Sequence, residues 1–341
     1  MRRLVTVVPG QVEIQDAPEP VPGPDDALIG VEAVGICGSD IHLYTGEHPY
    51  SHFPNVQGHE FAGRVLSLPA SYAGPARVGD RVAVEPLLMC GECLPCRRGR
   101  GNCCLRMRTY GAQIDGGLSE RIAVKASLLY PTGDLSAELA ALVEPMSIGL
   151  QAISRSAMTA SDTVLILGAG PIGQSILLGA ADLGAQVMVV DRIAARLDLA
   201  RRLGAAAVVD ATADDTREAV LKWTDGDGPT VVFEATGVPA VVESAVDLVA
   251  SSGTVVVVGL SRQTVAIPMV DLTRKELTIV GSRNNMGQFG GAVDLVKRQP
   301  ERVGLLISHR FPLERSPEAF ELAHSSPQVT EKVIIEVGRA A

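Results

Sequence analysis

The stretch TVLILGAGPIGQSILLGAADLGAQVMVVD, residues 163–191, has the pattern of two apolar strands joined by a glycine-rich turn and a helix. The run 164–167 is short and aliphatic, residues 176–183 repeat apolar side chains at helical spacing, and 187–190 form the next apolar run. A strand, a helix and a strand in this order predict a βαβ unit with parallel strands.

The turn has the spacing G-x-G-x-x-G, which is typical of sites that bind a dinucleotide. The first glycine makes a tight turn, the second lets the backbone approach a pyrophosphate at the helix N-terminus, and the third lets helix and strand pack closely. The turn residues predicted to bind the cofactor are Gly168, Gly170, Pro171, Ile172 and Gly173.

Asp191 closes the second strand about twenty residues after the turn, where the fingerprint requires an acid. Its carboxylate can accept from both hydroxyls of an adenosine ribose and would repel a 2′-phosphate, so we expect NAD to be preferred over NADP. Arg192 weakens that preference, because a cation there could accept the phosphate. Arg196 is predicted to lie near the adenosine or to be a charge on the helix surface.

Further β-rich runs alternate with helical stretches after this unit, at 205–210, 230–237, 253–260 and 276–282. Continuous apolar strands alternating with helices predict an α/β fold with a doubly wound parallel sheet, which binds its ligand at the carboxyl ends of the strands. Candidate cofactor-lining residues at those ends are Thr236, Gly237, Gly259 and Leu260. Arg283 and Asn284 follow the last strand and could reach the substrate; the alternative for the asparagines is a structural role at the start of a helix.

Five of the six cysteines lie within residues 90–104, CGECLPCRRGRGNCC. Two-residue gaps let successive thiolates face one small ion, and four sulfurs leave no open position, as in a structural tetrahedral zinc site. The predicted ligands are Cys90, Cys93, Cys96 and Cys104, with Cys103 outside the set. The alternatives are an iron–sulfur cluster or four buried cysteines that act as small apolar side chains.

The sixth cysteine, Cys37, lies in VGICGSDIH; His59 and Glu60 follow in VQGHEFAG, and Glu144 in ALVEPMSIG. A thiolate, an imidazole and a carboxylate form a three-ligand set that leaves a fourth position open, as catalytic zinc requires. Taken alone, a His–Glu pair is more often a surface feature.

Two polar residues just after Cys37 favour the metal interpretation. The hydroxyl of Ser39 could take a proton from an alcohol, and the imidazole of His42 could pass it to water. His48 and His52 are expected to be loop histidines, and we assign them no role.

The bulk composition limits the class of protein. A length of 341 residues suggests about two domains, and a net charge of −9 argues against a nucleic-acid partner. The sequence has no signal-peptide pattern and no run near the ~20 apolar residues of a membrane span. We therefore expect a cytoplasmic protein, in a compartment that keeps thiols reduced.

The motifs GICGSDIH, PNVQGHEFAG, the cysteine-rich stretch, VEPMSIG and LGAGPIG occur in one order on one chain. Together they resemble the zinc-dependent medium-chain dehydrogenases over essentially the whole length, most closely their polyol and sugar-acid branch. The resemblance implies a GroES-like β-rich catalytic domain at 1–150 and 290–341, with a zinc lobe at 88–106. It also implies a Rossmann NAD-binding domain at 151–289.

By the same resemblance, Cys37, His59 and Glu60 bind catalytic zinc, with Glu144 in or near its shell. Ser39 and His42 resemble the family's proton relay, and the four lobe cysteines match its structural zinc site. Two zinc ions per chain and NAD(H) are thus expected.

The stretch SRNNMGQF, residues 282–289, bears on the substrate. Arg283 falls where the polyol branch has a substrate-contacting arginine, but Asn284 replaces the tyrosine of sorbitol dehydrogenases. The stretch looks more like enzymes that oxidise L-galactonate or L-gulonate, whose carboxylate an arginine could pair with.

The expected reaction is hydride transfer from a secondary alcohol of a sugar acid or polyol to NAD⁺, in a homodimer or homotetramer. The rival activities are those of threonine 3-dehydrogenase, sorbitol dehydrogenase or a simple alcohol dehydrogenase. The rival from another class is a zinc-stabilised NAD-binding sensor without turnover.

Overall fold

A computed structural model describes residues 1–47 and 52–338, so His48 lies outside the described residues. The chain forms two compact units. Unit 1 comprises Met1–Glu144 and Phe289–Ala341, and unit 2 comprises Pro145–Gln288.

The elements of unit 1 before the boundary are, in chain order, β1 Arg2–Val8, β2 Gln11–Asp16, β3 Asp26–Ile36, α1 Gly38–Thr45, β4 Glu60–Ser67, β5 Arg81–Val84, β6 Leu87–Leu88, α2 Leu94–Arg97, β7 Arg108–Thr109, β8 Arg121–Lys125, β9 Leu129–Pro131 and α3 Ala137–Ala141. The boundary falls inside α4, Val143–Ser156.

The elements of unit 2 are β10 Thr163–Leu167, α5 Pro171–Asp182, β11 Gln186–Asp191, α6 Ala194–Leu203, β12 Ala207–Asp210, α7 Thr216–Trp223, β13 Val231–Glu234, α8 Pro239–Leu248, β14 Thr254–Val257, α9 Met269–Lys275 and β15 Thr278–Gly281. Those of the last part of unit 1 are α10 Phe289–Arg298, α11 Pro300–Gly304, β16 Ile307–Pro312, α12 Ser316–Ser325 and β17 Lys332–Glu336.

Unit 2 is built on a six-stranded parallel sheet in the order β12-β11-β10-β13-β14-β15. The strand order reverses between β10 and β13, so the carboxyl ends of these two strands border the crevice in which such sheets bind ligands. The strands are aliphatic because helices cover both faces, and Leu165, Val232 and Val255 are among the buried core residues. The predicted fold class is confirmed.

Unit 1 is β-rich and its main sheet has the order β16-β17-β3-β4-β5-β9, with β8 also paired to β3. Its core includes Ile29, Phe61, Phe320 and Ile335. The C-terminal strand β17 runs antiparallel to β3, so the two ends of the chain contribute to one sheet.

Across residues 1–47 and 52–338, no helix combines the length and the apolar character needed to cross a lipid bilayer.

Candidate active site

Three neighbouring strands of unit 1 reach the same edge of the sheet, β3 with its last residue and β4 and β17 with their first, and polar side chains lie there. β3 ends at Ile36, just before Cys37, and it pairs with β4, which begins at Glu60 opposite Gly35. On its other side, β3 pairs with β17, in which Val333 lies opposite Ile36, so Lys332 comes to the same edge. Residues far apart in sequence therefore meet at this edge.

The predicted ligands Cys37, His59 and Glu60 come together at this edge, with their ligand atoms within 4.8 Å of one another. The Oγ atom of Ser39 lies 3.4 Å from Nε2 of His59. Ser39 follows Cys37 in the first turn of α1 and therefore places its hydroxyl beside the ligand set.

The orientation of His59 is set by Asp40, a residue that the sequence analysis did not single out. Oδ1 of the buried Asp40 lies 3.5 Å from Nδ1 of His59, which leaves Nε2 facing the ligand set. Burial alone would lower the pKa of His59, but Asp40 and then the Cys37 thiol outweigh it and raise that pKa well above its usual value. Burial alone would raise the pKa of Asp40, but His59 and the N–H groups of Cys37 and Gly58 outweigh it and lower that pKa.

Glu60 is fully buried and forms an ion pair with Lys332, whose side chain is 2% exposed. Nζ of Lys332 donates to Oε1 of Glu60. The second oxygen, Oε2, is buried without a hydrogen-bond partner in the described part of the chain, and only a glycine at position 35 leaves room for it, since a Cβ there would lie 2.4 Å away. A buried carboxylate oxygen without a donor is a position at which a cation would be favourable.

Glu144, in the first turn of α4, is buried and lies close enough to feel the charges of the set, but its carboxylate is not among the three ligand groups. Burial raises the pKa of Glu144 to about 7, with the charge of Glu60 adding to the shift and that of His59 opposing it. His42 is exposed, and its Nδ1 lies 3.4 Å from the carboxylate of Glu47.

These residues fit a zinc ion. A thiolate, an imidazole nitrogen and a carboxylate oxygen are the donor types that catalytic zinc takes, and a carboxylate behind the histidine is its usual support. The unpartnered Oε2 of Glu60 supplies the structural observation that a cation would satisfy.

The second predicted set, in the lobe of unit 1, also comes together. The sulfur atoms of Cys90, Cys93, Cys96 and Cys104 lie within 4.8 Å of one another, and Cys103 is not among them. The distances Cys90–Cys96, Cys93–Cys96 and Cys93–Cys104 are 3.9, 3.4 and 3.8 Å. Zn–S bonds of about 2.3 Å in a tetrahedron would place the sulfurs about 3.8 Å apart, so the set fits a structural zinc ion.

The thiols of this lobe differ in acidity because four of them share one small volume. N–H groups of Cys93 and Glu92 lower the pKa of Cys90 to about 6, whereas burial and the neighbouring Cys93 raise the pKa of Cys96 to about 12. A bound cation would allow the last thiol to ionise as well.

In unit 2, the glycine-rich turn has the geometry that its sequence requires. Gly168 has a φ of 101°, and a Cβ on Gly173 would lie 1.9 Å from the carbonyl oxygen of Gly168. Gly170 is the N-cap of α5 and Pro171 opens the helix, so its first N–H groups face the crevice. The Nη1 atom of Arg196 lies 3.8 Å from the position that a Cβ on Gly170 would take.

Asp191 connects the turn to the neighbouring strand. Its Oδ2 accepts from Ala169 N–H at 2.6 Å, and its Oδ1 accepts from the N–H groups of Arg192 and Ile193. A cavity of about 820 Å³ opens beside it, lined in part by Gly168, Asp191, Arg192 and Thr236. The volume lies within the range of some 300–1,000 Å³ that is typical of ligand pockets.

Glu234 is a second buried acid that the sequence analysis did not single out. It ends β13, and its Oε1 accepts from the N–H groups of Thr236 and Gly237 at 2.7 and 2.9 Å. The next loop lies against it, since a Cβ on Gly259 would come within 2.1 Å of Gly237 N. Glu234 thus contacts both loops that carry predicted cofactor residues, the one with Thr236 and Gly237 and the one with Gly259. The fourth predicted residue, Leu260, is exposed.

The predicted substrate residues follow β15. Arg283 is exposed, and Asn284 is half-buried with a φ of 45°, a left-handed conformation that asparagine tolerates better than most residues.

Comparison with known proteins agrees with this arrangement. The family described as "Zinc-binding dehydrogenase" matches residues 171–298, and "Alcohol dehydrogenase GroES-like domain" matches residues 23–134. The L-galactonate-5-dehydrogenase of Escherichia coli K12 is 34% identical over 327 residues, which are 94% of each chain.

Two solved structures share the fold over nearly the whole chain. An alcohol dehydrogenase, rspB, of Escherichia coli CFT073 in complex with NADH has a TM-score of 0.92 at 31% identity and 99% coverage of each chain. A zinc-binding dehydrogenase of Sinorhizobium meliloti 1021 bound to NADP also has a TM-score of 0.92, at 32% identity and 98% and 99% coverage of this chain and its own.

Proposed function

The chain belongs to the zinc-type medium-chain alcohol dehydrogenase family, and from this we propose that it oxidises a secondary alcohol of a sugar acid to the ketone with NAD⁺. The observation that carries the proposal is the set Cys37, His59 and Glu60, whose ligand atoms lie within 4.8 Å of one another beside the hydroxyl of Ser39. A zinc ion held there would act as a Lewis acid that makes the alcohol hydroxyl more acidic.

The protein's own residues then handle the proton and the orientation. Asp40 holds the imidazole of His59 through Nδ1, so Nε2 stays on the side of Ser39 Oγ. Ser39 Oγ takes the proton of the substrate hydroxyl as it passes its own proton towards His42, and the exposed imidazole of His42 releases a proton to water. NAD⁺ held at the glycine-rich turn, residues 168–173, would supply the hydride acceptor, so the overall products would be the ketone, NADH and one proton.

For the cofactor, we propose that NAD(H) is preferred over NADP(H). The Asp191 side chain lies at the end of β11, where the 2′-phosphate of NADP would approach, although the basic Arg192 is beside it. Kinetics with both cofactors test this, and kcat/KM that is higher with NADP⁺ would contradict it.

For the substrate, we propose a hexonate of the L-galactonate or L-gulonate kind. The L-galactonate-5-dehydrogenase at 34% identity and the arginine at position 283 both favour a carboxylate-bearing substrate. A panel of L-galactonate, L-gulonate, sorbitol, L-threonine and simple secondary alcohols, followed by NADH absorbance, tests it. Arg283→Ala should raise the KM for the hexonate about 10–100-fold, as expected for a lost charged hydrogen bond, and leave that for sorbitol unchanged.

The metal is tested with matched cysteine variants. The wild-type chain should bind two zinc ions, Cys37→Ser should bind one and lose more than about 100-fold in kcat, and Cys103→Ser should behave as wild type. Unchanged turnover in Cys37→Ser would remove the basis of the mechanism. A single zinc ion in the wild-type chain, without turnover on the panel, would instead support a sensor.

We also propose a homodimer or homotetramer in the cytoplasm. β15 ends the order of the unit 2 sheet, and Ile279 on it and Met269 on α9 are exposed apolar side chains. The lobe cysteines must stay reduced to bind zinc, which suits a reducing compartment. Light scattering of the purified protein tests the assembly.

A further inference from the structure

A series of buried polar side chains leads from the N-terminal strand to the predicted metal ligands. Thr6 on β1, Gln57 before β4 and Asp40 on α1 are 2%, 1% and 1% exposed. Polar groups this deeply buried are costly unless each is hydrogen-bonded. Thr6 bonds to Gln57, Gln57 bonds to the backbone carbonyl of Asp40, and the Asp40 carboxylate in turn faces His59.

The direction of each hydrogen bond follows from the chemistry of the partners. The backbone carbonyl of Asp40 can only accept, so the atom of Gln57 that lies 2.7 Å from it is the amide nitrogen Nε2. The other amide atom, Oε1, therefore faces Thr6, whose hydroxyl donates to it. The same Nε2 lies 3.5 Å from Oδ1 of Asp40, so Gln57 contacts both the backbone and the carboxylate of that residue.

The Asp40 carboxylate is the point at which both ligand segments meet. Its Oδ2 accepts from the N–H of Cys37 at 3.0 Å, and its Oδ1 accepts from the N–H of Gly58 at 3.2 Å and faces Nδ1 of His59. A shift of Asp40 would therefore move both the thiol and the imidazole. The backbone at position 58 passes so close to β3 that only glycine fits there, because a Cβ would lie 2.7 Å from Val34 Cγ1.

We propose that Thr6 and Gln57 are positioning residues for the metal site: they hold Asp40 so that Cys37 and His59 are fixed for the ion. The inference rests on the proposed function, because it requires that these residues bind the metal. Removal of a residue that hydrogen-bonds to a metal ligand typically lowers metal affinity 10–100-fold. Gln57 lies one step further out, and we therefore expect about a 10-fold loss in Gln57→Met.

The test uses the full-length chain loaded with zinc and, separately, with Co²⁺. Gln57→Met and Thr6→Val remove the polar atoms at nearly constant size. Thr132→Val is the matched control, since Thr132 is fully buried in unit 1 and its hydroxyl donates to Arg81 O at 3.1 Å, outside the series. Competition with a chromogenic chelator gives the affinity of each zinc ion, and the Cys90–Cys104 lobe serves as the internal reference.

We expect the zinc ion at Cys37, His59 and Glu60 to bind about 10-fold more weakly in Gln57→Met, and the Co²⁺ d–d spectrum of that site to change. The affinity of the lobe cysteines for zinc should be unchanged. Thr6→Val should show a smaller change of the same kind, and the double variant should be no worse than Gln57→Met, because both act through one series of bonds. Thr6→Val also keeps the test decisive if Gln57→Met fails to fold, since valine matches threonine in shape.

Two results would overturn the inference, and they differ in what else they affect. If the wild-type chain binds only the lobe zinc, the proposed function loses its metal and the inference falls with it. If the wild-type chain binds two zinc ions but both variants keep its affinity and its Co²⁺ spectrum, the function stands and Thr6 and Gln57 are ordinary core residues.

Discussion

The ion pair between Lys332 and Glu60 makes the sharpest prediction about stability. Both side chains are almost completely buried, at 2% and 0% exposure, so solvent does not screen their interaction. Burial alone would lower the pKa of Lys332, but Glu60 and the Cys37 thiol outweigh it and raise that pKa. Lys332→Met keeps the length of the side chain and leaves the Glu60 carboxylate buried without its cation.

Removal of one partner of a buried ion pair costs about 3–5 kcal/mol, whereas a surface pair is worth about 0–1 kcal/mol. For a domain of this size about 1 kcal/mol shifts Tm by some 2–4 °C, so Lys332→Met should lower the Tm of unit 1 by about 6–20 °C. Lys125→Met is the matched control, because Lys125 pairs with Asp26 at 42% and 21% exposure and should lose at most a few degrees.

Zinc changes the expected size of the effect. If Glu60 is a ligand, the bound ion compensates the carboxylate charge that Lys332→Met leaves without a partner. The decrease in Tm is then smaller in the zinc-loaded chain. Calorimetry of Lys332→Met should therefore show a larger drop in Tm in a Cys37→Ser background than in the wild-type background. Equal drops in both backgrounds would refute Glu60 as a ligand, and a drop no larger than that of Lys125→Met would refute the argument from burial.

Gly173→Ala would place a Cβ 1.9 Å from a backbone carbonyl of the turn, so NADH binding followed by fluorescence should weaken more than about 10-fold, whereas Gly290→Ala, which meets nothing within 4 Å, should bind normally. Cys104→Ser should reduce zinc from two ions to one per chain by metal analysis and lower Tm, while Cys103→Ser keeps both ions. Burial raises the pKa of Glu144 from 4.5 to about 7, so the folded chain holds a proton that the unfolded chain releases. In a Cys37→Ser background, which lacks the zinc ion of the Cys37 set, the protonated Glu144 should stabilise the fold at acidic pH, and this stabilisation should be lost between about pH 4.5 and 7. Urea unfolding of Glu144→Gln in that background should lack this pH dependence of the free energy of unfolding.

The parts of the fold and site that sequence could predict are those with local signals. The parallel sheet of unit 2 follows from apolar runs and turns that alternate within some thirty residues, as in a βαβ unit. The lobe cysteines lie within fifteen positions, so their spacing alone predicts that they converge, and the structure places their sulfurs within 4.8 Å.

The residues that hold the predicted ligands and cofactor loops in place had weaker sequence signals or none. Asp40 stands three residues after Cys37, where an acid commonly caps a helix. Helix capping is enough to explain an acid at this position, so the sequence did not indicate its contact with His59. Glu234 ends an apolar strand, and a buried acid at that point could have been noticed. Lys332 gave no signal, because a lysine that opens a strand is normally exposed and its partner is 272 residues away.

Lys332 also suggests why the end of the chain returns to unit 1. Asp40, Glu60 and Glu144 are buried acidic groups close to one another, and burial, with the charges of Glu60 and Asp40 adding to it, raises the pKa of Glu144. β17 is the strand that pairs with β3 on the side away from β4, and its first residue supplies a cation at the edge where Glu60 begins β4. A domain made from the N-terminal segment alone would bury Glu60 without that cation, so the C-terminal segment contributes to the predicted metal site as well as to the sheet.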